Sequence, residues 1–340
     1  MDERVAHNNS LNTIRLLGAI QVFYYHAITH LHISMPVSIT KSVLFIMGVP
    51  IFFFLSGFLN WFSSSRSVNA SDYYKKRFLR IYPELWIAIL LEISTIFILY
   101  DKSINWPLLG IFAFTQGTVF QFWTPDFLRS FGCGCPNGAL WTICMIIQYY
   151  LIAYPLQRWI KNKSIWTWLL ILTVSIAVGI LSNYLMLLLP IMAGKLYSQL
   201  VFRYFWLFFL GSFVGRFSKI LLPLLKKWFL FFLITSFIIW VLGIDINTGH
   251  YGILRSTFFC LGSLALAYAW PWLNIKTDIS YAVYIYHMIV VTAFIELNIT
   301  GQKIHLLWVA IIVFVISFIS TRTIGRLSQN WKHRFTKSSL

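Results

Sequence analysis

Ser42-Val43-Leu44-Phe45-Ile46-Met47-Gly48-Val49-Pro50-Ile51-Phe52-Phe53-Phe54-Leu55-Ser56-Gly57-Phe58-Leu59-Asn60-Trp61-Phe62 runs for twenty-one residues without a charged side chain. As one helix, at about 1.5 Å per residue, such a stretch matches the roughly 30 Å hydrocarbon core of a bilayer. Nine more apolar runs share this character, at about 11–31, 84–100, 138–156, 165–182, 204–217, 228–244, 252–270, 280–298 and 305–324. Composition agrees: 59% of the 340 residues are hydrophobic and 11% are charged, against about 25% charged in soluble domains. The expected fold is therefore all-α, a polytopic membrane protein of about ten transmembrane helices forming one domain over residues 1–340. Disordered, collagen-like and disulfide-framed classes are excluded by the same composition. The apolar stretch Pro107–Phe122 is interrupted by Gln116 and Gly117 and reads as a short re-entrant or interfacial piece.

Charge supplies the orientation. Lys and Arg number 27 against 10 Asp and Glu, a net charge of +17. With the N-terminus inside, nineteen basic residues fall in inner segments, including Arg4, Arg77, Arg80, Arg326, Lys332, Arg334 and Lys337. Six fall in outer ones: Lys41, Lys102, Arg129, Lys195, Arg203 and Lys303. That asymmetry is the positive-inside pattern and places both termini in the cytoplasm. Nucleic acid is not an expected partner, because the aromatics lie inside the apolar runs and build no exposed stacking platform. The first ten residues carry Asp2, Glu3 and Arg4, so no signal peptide is expected. Cys133 and Cys135 are spaced poorly for zinc or an unstrained disulfide, and Cys144 and Cys260 read as small hydrophobes. No metal site is expected.

An ionisable group inside a span is costly and therefore a functional candidate. The first run contains Arg15 and His26, eleven residues apart. At 100° per residue they share a helical face, about 16 Å apart along the axis. Singly, Arg15 reads as a snorkelling interfacial residue and His26 as a packing histidine; a shared face weakens both readings. In the ninth run Ser280, Tyr284 and His287 stand at i, i+4 and i+7 on another single face. The strongest cationic cluster is Tyr73-Tyr74-Lys75-Lys76-Arg77-Phe78-Leu79-Arg80-Ile81-Tyr82-Pro83-Glu84. It reads either as a topology determinant or as an anion seat, with Arg77 and Arg80 at i, i+3 on a short helix ending at Pro83. Glu84 and Glu92 are expected to pair with these arginines. Asp245, His250, Arg255 and Glu296 form either an outer polar site or rim ion pairs, the latter being the plainer reading.

Taken in order, these motifs resemble the acyltransferase family 3 of integral membrane O-acyltransferases. The resemblance rests on Arg15 and His26, on Phe52-Phe-Phe-Leu-Ser56-Gly57-Phe58, and on Arg77-Phe-Leu-Arg80-Ile-Tyr-Pro83. It continues through Leu140-Trp141-Thr142, Phe209-Leu-Gly211 and Tyr281-Ala-Val-Tyr284-Ile-Tyr-His287. Relatives often carry Glu where this chain has Ile146, so no carboxylate is carried over from that span. No fused extracytoplasmic domain is expected.

The resemblance implies transfer of an acyl group, usually acetyl from acetyl-CoA, to a hydroxyl of an envelope carbohydrate: O-antigen, exopolysaccharide or a lipid-linked glycan. Acetyl-CoA enters as a co-substrate, with no permanently bound cofactor. His26 is the implied general base or acyl relay, and Arg15 stabilises or positions charge, since it stays protonated. His287 and Tyr284 orient His26 or the acceptor. Arg77, Arg80 and Lys76 are assigned to the CoA phosphates, and Ser56, Trp141 and Gln148 to substrate. The implied location is the bacterial inner or plasma membrane, with homo-oligomerisation left open. The rival is a polysaccharide or lipid-linked sugar transporter or an efflux protein, disfavoured because no pair of broken helices recurs in corresponding halves.

Overall fold

The computed structural model describes residues 8–121, 123–247, 250–325 and 327. Arg4, Arg326, Lys332, Arg334 and Lys337 of the inner charge count lie outside these residues, as does Phe122 at the end of the interrupted apolar stretch. The described residues are all-helical, without a β-strand. The helices are α1 (Leu11–His30), α2 (Val37–Phe45), α3 (Gly48–Ser65), α4 (Ala70–Leu99), α5 (Trp106–Gln116), α6 (Trp141–Ile160) and α7 (Ile165–Leu188). They continue as α8 (Ile191–Ser198), α9 (Phe205–Arg216), α10 (Ser218–Lys227), α11 (Phe229–Leu242), α12 (Ile253–Ala269), α13 (Ser280–Glu296) and α14 (Lys303–Ser320).

Nine of the ten apolar runs fall mainly on one helix each, whereas the run at 42–62 is shared by α2 and α3, which break at Ile46 and Met47. Five helical stretches are long and apolar enough to cross a membrane: Val37–Ser65, Ala70–Leu99, Gly138–Ile160, Ile165–Leu188 and Lys303–Gly325. A sixth is the pair α9 and α10, which bends by 101° at Phe217. α11, α12 and α13 are shorter apolar helices. α5 has 11 residues, about 16 Å of helix, too little to cross.

One boundary differs from expectation. Pro83 ends no helix but lies inside the 30-residue α4, so the cationic box and the following apolar run form one continuous rod. Proline removes an N–H and crowds the preceding turn, but inside packed membrane helices outside donors can serve the freed backbone. Beside Pro83, the hydroxyl of Tyr281 donates to the carbonyl of Ile81 at 3.0 Å.

The chain divides into two compact units. Of the described residues, the first comprises 8–18, 47–73, 145–247 and 250–277. Its tightest contact joins α3 and α9: a Cβ on Gly57 would overlap the Phe208 carbonyl oxygen, and one on Gly211 would overlap that of Phe54. The helices thus meet backbone to backbone, as small residues permit where lipid supplies no hydrophobic drive. Ser212 fastens the contact by sharing its hydroxyl between the carbonyls of Gly57 and Phe208, each at 3.2 Å, and accepts from Gln157 at 3.1 Å. Elsewhere in this unit, Asp245 takes the amides of Leu254 at 2.9 Å and Arg255 at 3.0 Å, covering the start of α12.

Of the described residues, the other unit comprises 19–46, 74–121, 123–144, 278–325 and 327. Its centre is α13, in which thirteen of seventeen residues are buried. A helix covered on every side shows no amphipathic stripe; its position is set by polar contacts instead. Gly132 N donates to Glu296 at 2.6 Å, Thr292 donates to the Pro136 carbonyl at 2.9 Å, and Asn137 donates to the Ile285 carbonyl at 3.0 Å. The turn that makes these contacts reverses at Gly132 and Gly134, with φ of 60° and 93°, values that glycine adopts without a Cβ penalty.

Candidate active site

Within the second unit α1 and α13 bring two histidines together. His26 Nδ1 lies 2.8 Å from His287 Nε2, and the rings are 18° from parallel with centroids 5.1 Å apart. His287 is fully buried, whereas His26 is partly exposed. His287 Nδ1 lies 3.1 Å from the carbonyl oxygen of Val283, one turn earlier on α13.

That last contact assigns the protons. A peptide carbonyl only accepts, so His287 Nδ1 carries a hydrogen. Neutral imidazole has one donor and one acceptor, which makes His287 Nε2 the acceptor. The hydrogen in the 2.8 Å contact therefore sits on His26 Nδ1. His26 Nε2 is left with a lone pair, the arrangement a general base or nucleophile requires. The two imidazoles are ordered by a backbone oxygen rather than by a carboxylate.

The surroundings hold the rings in place. Phe23 meets His287 edge-on at 6.4 Å, and Tyr284 does so at 5.8 Å. The Tyr284 hydroxyl accepts from Thr142 at 2.8 Å and donates to the Ala139 carbonyl at 3.2 Å, so Tyr284 ties α13 to the start of α6. His30 stacks at an angle on His26, one turn along α1, with centroids 5.8 Å apart. Asn137 and Thr142 stand in the polar string that opens the fourth apolar run, and Val283 within a quoted motif, but none of them was given a role. His30 escaped the sequence reading, and all four matter through a partner distant in sequence, a ring contact or the backbone.

The remaining assigned residues divide between the units. Arg15 lies on α1 and is half-buried; the helix itself sets its axial separation from His26. Arg77 is half-buried in α4, Arg80 is exposed on the same helix, and Lys76 is partly buried. Trp141 opens α6 within the second unit. Ser56 and Gln148 belong to the first, where Gln148 Nε2 donates to the Gln199 carbonyl at 2.7 Å.

Two expectations are corrected. Glu84 does not pair with the arginines: it accepts from Ser320 at 3.0 Å, and Ser320 also bonds Tyr286 at 2.8 Å. Glu92 is 2% exposed, and neither of its oxygens meets a partner among the described residues. Helical phase does not separate Glu84 from the cations, since Arg80 stands one turn and Arg77 two turns before it on α4. Glu84 is instead taken up by Ser320 at the end of α14, and Glu92 lies more than three turns beyond Arg80. Among the described residues no cluster of His, Cys, Asp and Glu could hold a metal ion. In the loop before α6, Cys133 and Cys135 are free thiols. Cys133 Sγ donates to the Cys135 carbonyl at 3.8 Å. The Cys135 side chain beside it holds Cys133 down to about 7 despite its partial burial, and Cys133 together with burial pushes Cys135 up.

A family model described as an acyltransferase domain, that of acyltransferase family 3, matches residues 8–324. The chain belongs to this family. It is similar to nodulation protein 10 of Rhizobium leguminosarum bv. viciae, 27% identical over 335 residues, covering 87% of this chain and 86% of that protein. It is also similar to the peptidoglycan O-acetyltransferase OatA of Listeria monocytogenes serovar 1/2a, 28% identical over 194 residues. That match covers 53% of this chain and 29% of the relative. No solved structure matches. The chain is thus a membrane acyltransferase, and the span matched by the family model contains both histidines and the cationic box.

Proposed function

We propose that this acyltransferase moves an acetyl group from acetyl-CoA to a hydroxyl of a cell-envelope carbohydrate, in a bacterial cell membrane that it crosses about ten times with both termini in the cytoplasm. The observation that carries the reading is the proton order Val283 carbonyl, His287, His26, which leaves His26 Nε2 free as a base. The name of the Listeria relative, a peptidoglycan O-acetyltransferase, supports the transferred group and the envelope acceptor.

In this reading His26 Nε2 takes the acceptor's hydroxyl proton as its oxygen attacks the thioester carbonyl carbon. The C–S bond then breaks, and the CoA sulfur leaves with the electron pair and receives that proton. General-base catalysis of this kind contributes about 10²–10⁴-fold. The His26 Nδ1–H bond to His287 stabilises the imidazolium formed along the way. Arg15, a permanent cation on the same helix but about 16 Å along it from His26, is assigned to positioning the anionic donor. Arg77, Arg80 and Lys76 hold the CoA phosphates, Arg by forked hydrogen bonds and Lys by charge. Ser56, Trp141 and Gln148 are assigned to substrate contacts.

Membranes holding wild type or His26→Ala, incubated with radiolabelled acetyl-CoA, test the proposal. Base-labile label on extracted envelope glycan is expected with the wild type and should fall at least 100-fold in the variant. Full label from a normally expressed His26→Ala protein would overturn it. Hydroxylamine-sensitive label on the protein itself would replace the base role by a covalent relay through the same nitrogen.

A further inference from the structure

Arg203 precedes α9 in the first unit and is 6% exposed. Arginine stays charged and offers five N–H donors. Among the described residues the only contact of its guanidinium is the face of Tyr204, 5.2 Å from the ring centroid, and its buried Nε has no hydrogen-bond acceptor. The Tyr204 hydroxyl in turn accepts the backbone N–H of His250 at 3.1 Å. This draws the loop between α11 and α12 to Arg203, near enough for the guanidinium to act on the His250 charge. The acid of that loop, Asp245, faces the start of α12 instead: it accepts the amides of Ile246 at 2.8 Å, Leu254 and Arg255, and its charge acts on the Arg255 guanidinium.

Arg203 is buried beside the exposed His250, with no acid bonded to it among the described residues, and a buried cation is unfavourable unless an anion completes it. A ring contact offsets only part of that cost. Tyr251, half-buried and 5.5 Å from the fully buried Tyr204, adds one aromatic face beside the pair. Charge counting expects this end of the unit on the outer side of the membrane.

We infer that Arg203 and His250 seat an anionic group of the carbohydrate acceptor, a sugar carboxylate or the phosphate of a lipid-linked glycan. The inference rests on the acceptor being a carbohydrate, as proposed above. It goes beyond that reading by making the acceptor acidic, with the charge read by residues other than the histidine pair.

Binding to the purified full-length chain, with no acetyl-CoA present, tests it independently of the chemistry. Three probes are compared at about 50 mM salt: an oligosaccharide containing hexuronate, a short-prenyl diphosphate-linked N-acetylglucosamine, and neutral chitotetraose. One anionic probe should bind at least 10-fold tighter than chitotetraose, and which one does so identifies the source of the charge. Arg203→Gln should erase that preference, and Arg203→Lys should keep part of it. Equal binding of all three probes would overturn the inference, as would an anionic preference that survives in Arg203→Gln. If Arg203→Gln does not fold, competition by inorganic pyrophosphate on the wild type decides: displacement of the anionic probe supports the seat, and no displacement overturns it. A chain that binds acidic glycan but never acetylates it would defeat the proposed function while leaving this seat standing.

Discussion

Gly57, in the unit built around α3 and α9, and His287, in the unit built around α13, each sit in a short string inside an apolar run, yet they do opposite work. Gly57 acts by what it lacks: without a Cβ, α3 and α9 touch through their backbones. His287 acts by what it carries, because its two nitrogens pass a fixed proton order from a carbonyl to His26. The contrast teaches that a polar or small residue in a membrane helix can serve packing or chemistry, and that the partner atom decides which.

The largest expected effect lies on the packing side. Gly57→Leu should remove nearly all monodisperse protein in detergent size-exclusion chromatography, and Gly57→Ala should cost about 1–3 kcal/mol through overpacking. A well-folded Gly57→Leu protein would break the comparison. On the chemical side, His287→Ala should leave the fold intact and lower kcat about 10–100-fold, the usual scale for losing a partner that orients a reacting histidine. His287→Gln, whose side-chain oxygen can still accept from His26 Nδ1, should recover part of the loss. The double variant with His26→Ala should be no slower than His26→Ala alone; an additive loss would show that His287 acts separately.

The smallest effect sharpens the contrast with a group that reports only on its own surroundings. Cys133, lowered to about 7, should react with maleimide at a rate that rises with pH up to about that value and then levels off, because the thiolate is the nucleophile. Cys135, raised by Cys133 beside it and by burial, should label slowly throughout. Labelling of both thiols at one rate across pH 6–8 would remove the difference inferred between them.

Much of the fold was legible because burial in lipid demands apolar helices: the apolar runs are helical, nine mainly on one helix each and the run at 42–62 on two. Five helical stretches, or six with the bent pair, are long and apolar enough to cross. Arg15 and His26 were legible as a pair since eleven residues nearly complete three turns. The bond between His26 and His287 was not, because 261 residues separate them and no local pattern records such a contact. Glu84 misled for the same reason: its nearest cations in sequence suggested a partner, while Ser320 supplied one 236 residues away. Pro83 misled because its helix-breaking habit is learned in water.

The histidine pair ends on a peptide oxygen, and this has an electrical consequence. In its resting form the pair carries no net charge, so the voltage across an energised membrane does no work on it. A carboxylate in the place of the Val283 carbonyl would add an elementary charge, worth about 2.3 kcal/mol per 100 mV if it spanned the whole field. The readiness of His26 is thereby insulated from changes in membrane potential.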